Sequence, residues 1–188
     1  LEFRRVLFRS ELIAHAKAAP GQLAYASSGN GGPQHLAGEL FKFMAGVSLV
    51  HVPYKGTAPA LTDVLAGQVQ LSFASLLASL PHVGAGKLRA LGLTSAKRIE
   101  SNADMPTIAE AGVAGFEYLT WYGMLAPAAT PRAIVAKIRG DAARALQARE
   151  VRERFAHDGV QAVGNTPDEF ADFIQREIAK STKIVRMA

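Results

Sequence analysis

The sequence contains no cysteine, no long uninterrupted apolar run and only one tryptophan. Without cysteine, disulfide bonds, thiolate metal sites and a cysteine nucleophile are excluded. No apolar run approaches the roughly 20 residues that a helix needs to cross a bilayer. With 49% hydrophobic and 20% charged residues among 188, the composition indicates a packed core, in one domain or two small ones.

The chain also lacks the features of a nucleic-acid-binding protein. Its net charge is +5, but its basic residues are scattered along the sequence. A nucleic-acid interface usually shows a basic stripe, stacking aromatic residues or a known motif. We therefore expect no nucleic-acid partner.

The first ten residues, LEFRRVLFRS, differ in character from the rest of the chain. They are basic and apolar, begin with Leu1 rather than methionine, and lack the long apolar segment and cleavage site of a secretory signal. We interpret residues 1–10 as a foreign or artefactual leader on a truncated reading frame. A true signal peptide is then expected upstream.

Helix and strand patterns alternate beyond this leader. The first predicted elements are a helix stopped by Pro20, a strand around Tyr25 and a helix from Pro33 to Ala45, which Gly46 ends. Apolar and β-branched runs then predict strands, and helical spacing predicts helices between them. The strands are expected at 47–52, 69–73, 88–93 and 118–125, and the helices at 58–66, 76–83 and 106–111. This alternation favours an α/β fold with a parallel sheet covered on both faces.

Helices dominate the sequence after Pro127. A long amphipathic helix with Ile134 and Ile138 on its apolar stripe is predicted, followed by a shorter helix and a strand, at 151–155 and 159–163. A capping box of Thr166 and Glu169 opens the last helix, whose buried stripe is expected to hold Phe170, Phe173, Ile174 and Ile178. These helices have little sheet of their own, so we expect them to need another surface to pack on.

The most informative stretch is a glycine-rich turn between a predicted strand and a helix, made of Ser27, Ser28, Gly29, Asn30 and Gly31. Pro33 suits the first helical position, where its missing N–H costs nothing. The unpaired N–H groups at the start of the helix, backed by the positive end of its dipole, favour an anion. We hypothesise that the turn binds a carboxylate and that His35, in the first helical turn, can reach it.

Other interpretations of this turn are open. A glycine-rich turn is often only a tight connection, and His35 can be merely a half-exposed helix residue. A dinucleotide-binding G-x-G-x-x-G is excluded because its last position is Gln34, and no G-K-[ST] opens the helix as in a P-loop. The five histidines have no metal-binding spacing, and no G-x-S-x-G motif occurs. We predict no metal, no cofactor and no catalytic residue.

A second loop of similar character follows the next predicted strand. It consists of Tyr54, Lys55, Gly56, Thr57 and Ala58, which offer two hydroxyl groups, a positive charge and backbone N–H donors. A third strand end holds Ala74 and Ser75. Because ligands in open α/β sheets lie beyond the carboxyl ends of the strands, the three loops are predicted to line one crevice.

These motifs resemble those of the Bug-type receptors, the periplasmic solute-binding proteins of tripartite tricarboxylate transporters. The resemblance covers the chain from about residue 11 to its end, in the order SSGNGG at 27–32, HL at 35–36, VPYKGTAPA at 52–60, GQV at 67–69, LPHV at 80–83, GKLRAL at 86–91 and WYG at 121–123. It implies that the protein is a receptor and not an enzyme.

The resemblance also implies a fold, a location and a ligand class. The fold is that of type II periplasmic binding proteins, in which two domains close on the ligand, and the known ligands are small carboxylates. By position, this chain's contacts to the ligand are expected to come from residues 27–31 with His35, from residues 54–58, and from Ala74 with Ser75. Many relatives have Asp where this chain has Ala74, so a charged contact to amino-bearing or hydroxyl-bearing ligands is not expected in this protein.

The resemblance finally implies how the chain is divided. Residues 11–125 correspond to the ligand-binding α/β domain, and residues 126–188 to a segment that returns to the other domain. The first half of that other domain, with a further glycine-rich ligand loop, is missing. We therefore expect one complete parallel-sheet domain plus the helical C-terminal part of an incomplete second domain, with weak ligand binding or none.

Three functions are compatible with these observations. The leading hypothesis is a receptor that carries a small organic carboxylate to the membrane components of a tripartite tricarboxylate-type transporter. The alternative is a small α/β enzyme that binds a phosphorylated substrate at the glycine-rich turn. A receptor that signals through a membrane partner is the third.

Overall fold

The computed structural model describes residues 9–187, with side chains from Glu11 onward. The strands are β1 (Ala24–Ser27), β2 (Val50–Pro53) and β3 (Leu71–Ser72), and a short 3-10 helix spans Glu100–Asn102. The α-helices are α1 (Arg9–Ala18), α2 (Pro33–Ala45), α3 (Thr57–Leu65), α4 (Leu76–Gly84), α5 (Arg132–Gln147), α6 (Arg149–His157) and α7 (Pro167–Met187). The predicted leader lies outside the described residues except for Arg9 and Ser10, which begin α1.

The three strands form one parallel sheet in the order β2-β1-β3. Tyr25 in the central strand lies opposite His51 in β2 and opposite Leu71 in β3. Helices follow each of these strands, as in other parallel sheets joined by crossover connections. The prediction of an α/β fold with a parallel sheet is confirmed, although β2 and β3 are shorter than the runs 47–52 and 69–73 that predicted them.

The central strand is buried on both faces because helices cover each side of the sheet. Successive side chains of a strand point to opposite faces. Tyr25 therefore packs against α2, where it lies directly over Gly38, while Ala26 packs with Ala60 of α3 and with Val69. Tyr25, Ala26 and Ala60 are each 0% exposed, so the core of the molecule is centred on β1.

Aromatic rings extend this core away from the sheet. Tyr25 meets Phe73 edge-on, with ring centroids 5.9 Å apart, and Phe41 of α2 contacts both Phe73 and Phe116. Ile184, near the end of α7, is buried in the same cluster. The segment after α4 thus contributes to the core through single side chains rather than through a strand.

Three segments predicted as strands are not strands. The segment 88–93 forms only an isolated bridge, between Leu93 and Thr107, and neither 118–125 nor 159–163 contains strand structure. A run of apolar residues becomes a strand only where a neighbouring strand takes up its backbone hydrogen bonds. Among the described residues no strand pairs with these segments, so the predictions for them were wrong.

The helix predicted at 106–111 is instead one capped turn. The N–H of Thr107 donates to the Glu110 carboxylate at 2.8 Å, and the N–H of Glu110 donates to Thr107 Oγ1 at 3.1 Å. These are the reciprocal bonds of a capping box, which explains the helical pattern. Gly112 then adopts a φ of 115°, which does not continue a helix.

The chain divides into two compact units. One contains the described residues up to Thr120 together with residues 181–187, and it holds the sheet. The other is Trp121–Lys180, which contains α5, α6 and most of α7.

The helical unit has its own small aromatic cluster. Trp121 meets Phe170 and Phe173 edge-on, at centroid distances of 5.8 and 5.3 Å. The predicted capping box at the start of α7 is confirmed, because Thr166 N–H donates to Glu169 at 2.8 Å and Glu169 N–H donates to Thr166 Oγ1 at 3.3 Å.

The apolar stripes of this unit are less buried than their spacing predicts. Ile134, Ile138 and Ile178 are exposed by 49%, 42% and 54%. A helical stripe becomes buried only against a complementary surface. Within the described residues these three side chains lack such a surface.

Candidate anion-binding site at the carboxyl edge of the sheet

Each strand of the sheet leads into a helix at the same edge. α2 follows β1, α3 follows β2 and α4 follows β3. Because the strands are parallel, their carboxyl ends and the N-termini of these helices lie along one edge of the sheet. We call this the carboxyl edge.

The two glycine-containing loops contact each other directly at the carboxyl edge. The N–H of Tyr54 donates to the carbonyl of Ser27 at 3.0 Å, and the N–H of Gly56 donates to the carbonyl of Ser28 at 3.1 Å. The side-chain amide of Gln34 in α2 also donates from Nε2 to Thr57 Oγ1, at the start of α3, at 3.3 Å. The loops after β1 and β2 are therefore side by side, as predicted for loops at the carboxyl ends of neighbouring parallel strands.

Helix starts at this edge provide unpaired donors. The first N–H groups of a helix have no intrahelical acceptor. Gly32 and Gly56, which cap α2 and α3, have no side chain to accept from them. Ser75 caps α4 and likewise makes no side-chain cap bond. The free donors of the two adjacent helices are the N–H groups of Gln34, His35, Thr57 and Ala58.

The glycine amides themselves are not free, which corrects the expectation that Gly56 offers its N–H. Gly56 donates to the Ser28 carbonyl at 3.1 Å, and Gly31 donates to His35 Nδ1 at 3.0 Å. Gly29 donates to Ser27 Oγ at 3.2 Å. The positive φ angles of these glycines, 120°, 72° and 144°, turn the chain so that its amides point back into the loops.

The predicted contact residues differ in exposure. Ser27 is 0% exposed, and its hydroxyl is used inside the turn. Half-buried positions are Ser28, Gly29, His35, Tyr54, Gly56, Thr57 and Ala74, and exposed positions are Asn30, Gly31, Lys55, Ala58 and Ser75.

Tyr54 is oriented by an acidic residue of the helix that follows its loop. The Tyr54 hydroxyl donates to Asp63 Oδ2 of α3 at 2.7 Å. This hydrogen bond, with some burial, raises the pKa of Tyr54. The bond joins the loop after β2 to α3, so Asp63 holds this loop in place at the carboxyl edge. The Asp63 carboxylate is itself engaged by the Tyr54 hydroxyl.

His51 is the main residue of this region that sequence reasoning missed. It lies on β2 beside the glycine-rich turn, with its Nε2 hydrogen-bonded to Ser27 Oγ at 2.6 Å. Its ring stacks on His35 at a centroid distance of 4.0 Å and on Tyr25 at 4.9 Å. No local sequence pattern marks His51, because only the register of β2 beside β1 places it opposite Tyr25, on the same face of the sheet.

A buried carboxylate ends this row of rings. Glu39 of α2, 7% exposed, accepts from the Tyr25 hydroxyl at 2.6 Å and from Lys42 at 2.7 Å. Burial acts to raise the pKa of Glu39, but hydrogen bonds from Lys42 and Tyr25 and the nearby positive charges outweigh it and keep that pKa below its ordinary value. Burial and the same carboxylate raise the pKa of Tyr25. The network therefore holds Glu39 ionised and Tyr25 protonated.

We expect the sheet unit to lose stability in acid. Burial, and then the repulsion that a protonated His35 would exert, lower the pKa of His51 from its ordinary 6.5, so the fold favours neutral His51. Below pH 6.5 the unfolded chain binds the proton more readily, and this stability is lost as pH falls through the folded-state pKa. Glu39 adds a further loss below its ordinary 4.5, because its folded-state pKa is also depressed.

Denaturant midpoints measured between about pH 8 and pH 4 test this expectation. They should fall on acidification, with the first part of the fall reduced in His51→Gln. Midpoints that rise toward acid pH would contradict a lowered pKa at both His51 and Glu39.

Neither a metal centre nor a membrane span is found in residues 9–187. No group of three or more His, Asp or Glu side chains there could hold a metal ion. None of the helices in that part of the chain combines the length and apolar character that crossing a bilayer requires.

Solved structures of bacterial solute-binding proteins share this fold. The R. palustris protein Rpa4515, solved with adipate, is 37% identical, with a TM-score of 0.91 over 97% of this chain and 61% of that one. MatC of Rhodopseudomonas palustris, with bound malate, is 29% identical, with a TM-score of 0.81 over 98% and 63%. The periplasmic binding protein BugD is 30% identical, with a TM-score of 0.82. The architecture is thus part of a periplasmic-binding-protein fold.

The chain belongs to the tripartite tricarboxylate transporter family of receptors (TctC), whose sequence profile matches residues 8–188. A protein from the tcbD-tcbE intergenic region of Pseudomonas sp. (strain P51) is 38% identical over 94% of this chain and 53% of its own length. BugT of Bordetella pertussis is 37% identical over 93% and 54%. The resemblance is confirmed, as is the prediction of a receptor rather than an enzyme, and the chain spans about half the length of these two relatives.

Proposed function

We propose that this chain is the ligand-binding part of a receptor that binds a small dicarboxylate at the carboxyl edge. The observation that carries the proposal is the pair of uncapped helix N-termini, of α2 and α3, which the loop contacts hold side by side. The ligands of two similar solved structures, adipate and malate, are both dicarboxylates, and they support this choice of ligand class.

The physical basis is the match between a carboxylate and fixed N–H donors. The donors of Gln34, His35, Thr57 and Ala58 lie where the positive ends of two helix dipoles add. Hydrogen bonds to an ionised acceptor are roughly twice as strong as neutral ones. The nearby carboxylate of Asp63 already accepts from Tyr54, and Lys55 adds an exposed positive charge.

We also propose that the chain acts as one part of a larger transport assembly. Residues 11–125 form the ligand-binding domain, and residues 126–188 return to a second domain, although the end of α7 from Ser181 onward belongs to the unit that holds the sheet. The receptor works in the periplasm and hands its ligand to the membrane components of a tripartite tricarboxylate-type transporter. The family match and the periplasmic binding proteins among similar structures support this assignment.

A phosphorylated ligand is the alternative that the same donors suggest, because helix N-termini also bind phosphate. We favour the carboxylate because the family consists of transporter receptors. Inorganic phosphate therefore serves as the competing ligand in binding experiments.

The substitution Ala58→Asp is expected to weaken adipate binding about 30-fold or more, because it places a second negative charge beside the bound carboxylate. Ala58 is exposed in the first turn of α3, where an acidic side chain favours the helix dipole. The unfolding midpoint should therefore stay the same or rise slightly. Calorimetric titration with adipate, beside denaturant unfolding, measures both quantities.

Ala58→Asn is the matched control, since its side chain has almost the same shape without the charge. It should bind adipate within about threefold of the unsubstituted chain, because only the charge opposes the ligand. Equal binding by the Asp and Asn variants would exclude the start of α3 as a carboxylate contact. Tighter binding of phosphate than of adipate would favour the alternative ligand.

A further inference from the structure

The glycine-rich turn rests on a pair of stacked imidazoles. The rings of His35 and His51 lie 4.0 Å apart with an interplanar angle of 15°. Each ring makes one hydrogen bond to the turn: His35 Nδ1 accepts from Gly31 N–H at 3.0 Å, and His51 Nε2 is bonded to Ser27 Oγ at 2.6 Å. The two ends of the turn are thus attached to two histidines from different elements, α2 and β2.

The bond from Gly31 fixes the protonation state that the turn requires. A backbone N–H can only donate, so His35 Nδ1 must present its lone pair. The ring is then neutral, with its proton on Nε2, which lies 3.7 Å from Glu39 Oε1. A proton added to Nδ1 would face the Gly31 N–H with a second donor and remove this bond.

We propose that the stacked His35 and His51 are positioning residues for the anion site, and that protonation of His35 loosens the Gly31 turn and weakens carboxylate binding. The inference rests on the proposed function, since it concerns the same site. The backbone N–H of His35 is one of the free donors of α2. Loss of the hydrogen bond between the His35 ring and Gly31 N–H would therefore change the turn that lies immediately before those donors.

Several charged groups act on this pair. From α2, the carboxylate of Glu39 favours a protonated imidazole, whereas the Lys42 ammonium opposes it. From β1, the phenol of Tyr25 stacks on His51 and stays protonated through its bond to Glu39. Two positively charged rings in contact would repel each other, so the pair takes up one proton more readily than two. The lowered pKa of His51 agrees with this arrangement.

The test compares adipate dissociation constants of the unsubstituted chain, His35→Asn and His157→Asn at about pH 8 and about pH 5.5, on either side of the usual histidine range. The amide oxygen of Asn can take the acceptor position of Nδ1 but does not titrate. His157, 81% exposed in the helical unit, is the control. Protonation of adipate itself affects all three proteins equally, so it cancels in their ratios.

When the pH is lowered between these two values, we expect the adipate affinity of the unsubstituted chain and of His157→Asn to fall about tenfold more than that of His35→Asn. A factor of this size corresponds to one hydrogen bond that is replaced by two opposed donors. His35→Leu, which has no acceptor, should bind weakly at both. Equal pH dependence in the unsubstituted chain and His35→Asn would overturn the positioning role. Absence of binding at about pH 8 in every protein would instead contradict the proposed function.

A second readout needs neither ligand nor variant. The nitrogen chemical shifts of the His35 ring should report the Nε2–H form at about pH 8, and the Gly31 amide resonance should move when the pH is lowered to about 5.5. A His35 ring found in the Nδ1–H form, or a Gly31 amide that does not respond, would overturn the inference even if the variants do not fold.

Discussion

Gly38→Ala should destabilise the sheet unit by about 2–3 kcal/mol, whereas Gly140→Ala should stabilise the helical unit by about 0.5–1 kcal/mol. Both glycines lie inside α-helices, α2 and α5. Alanine is the best helix former and glycine one of the poorest, so helix propensity alone favours both substitutions. The opposite signs arise from what each new methyl group meets.

At Gly38 the methyl group would lie within 3.0 Å of three atoms of the Tyr25 side chain, two in the ring and the hydroxyl oxygen. That ring is 0% exposed, is stacked on His51 and is hydrogen-bonded to Glu39, so it has no free direction in which to move. At Gly140 the nearest atom is the flexible guanidinium of Arg144, at 3.8 Å.

Native-state hydrogen exchange of the amides of α2 and α5 measures the two effects separately, because each set reports its own unit. Faster exchange in α2 for Gly38→Ala and slower exchange in α5 for Gly140→Ala are expected. Slower exchange in α2 for Gly38→Ala would show that helix propensity outweighs the clash and that Tyr25 is less tightly packed than its contacts indicate.

Glu39→Ala should cost the sheet unit about 2–3 kcal/mol. The substitution leaves the buried Tyr25 hydroxyl with only its longer bond, 3.4 Å, to the His35 carbonyl, and it leaves Lys42 without its partner. Glu39→Gln keeps a hydrogen-bond acceptor for Tyr25 but removes the charge, so about half of this cost is expected.

Glu153→Ala is the control for removal of an ion pair alone. Glu153 pairs with Arg149 on the surface of α6, with side chains 62% and 89% exposed. Exposed pairs of this kind contribute about 0.5 kcal/mol or less. Urea unfolding of the three variants should therefore give the order Glu39→Ala, Glu39→Gln, Glu153→Ala, from most to least destabilised. A Glu39→Ala midpoint equal to that of Glu153→Ala would mean that the buried network does not stabilise the fold.

Local rules were enough to predict the parts of the fold that hold the site. Pro33 and Gly46 bound α2 because one suits the first turn and the other takes a left-handed conformation after the last, with a φ of 61°. The contact between the two loops also followed from sequence, because consecutive parallel strands end at one edge. The capping box at Thr166 depends on residues three apart and was equally predictable.

Features that depend on distant partners were not predictable in this way. The stack of His35 on His51 requires the register of β2 beside β1, which no local pattern encodes. The segment 118–125 has the composition of a strand but no partner strand in the part of the chain that the structure describes. The N–H of Gly56 was expected to be a free donor, but the turn that this glycine creates directs its N–H to the Ser28 carbonyl.

The most direct test of carboxylate binding at the carboxyl edge is titration of the isotope-labelled chain with adipate, followed through its backbone amide resonances. The largest shifts should occur at Gln34, His35, Thr57 and Ala58 and should saturate, even if the dissociation constant is about millimolar. The neutral diamide of adipic acid should leave these resonances unchanged. Shifts confined to Trp121–Lys180, or equal shifts with the diamide, would contradict binding by the N-termini of α2 and α3.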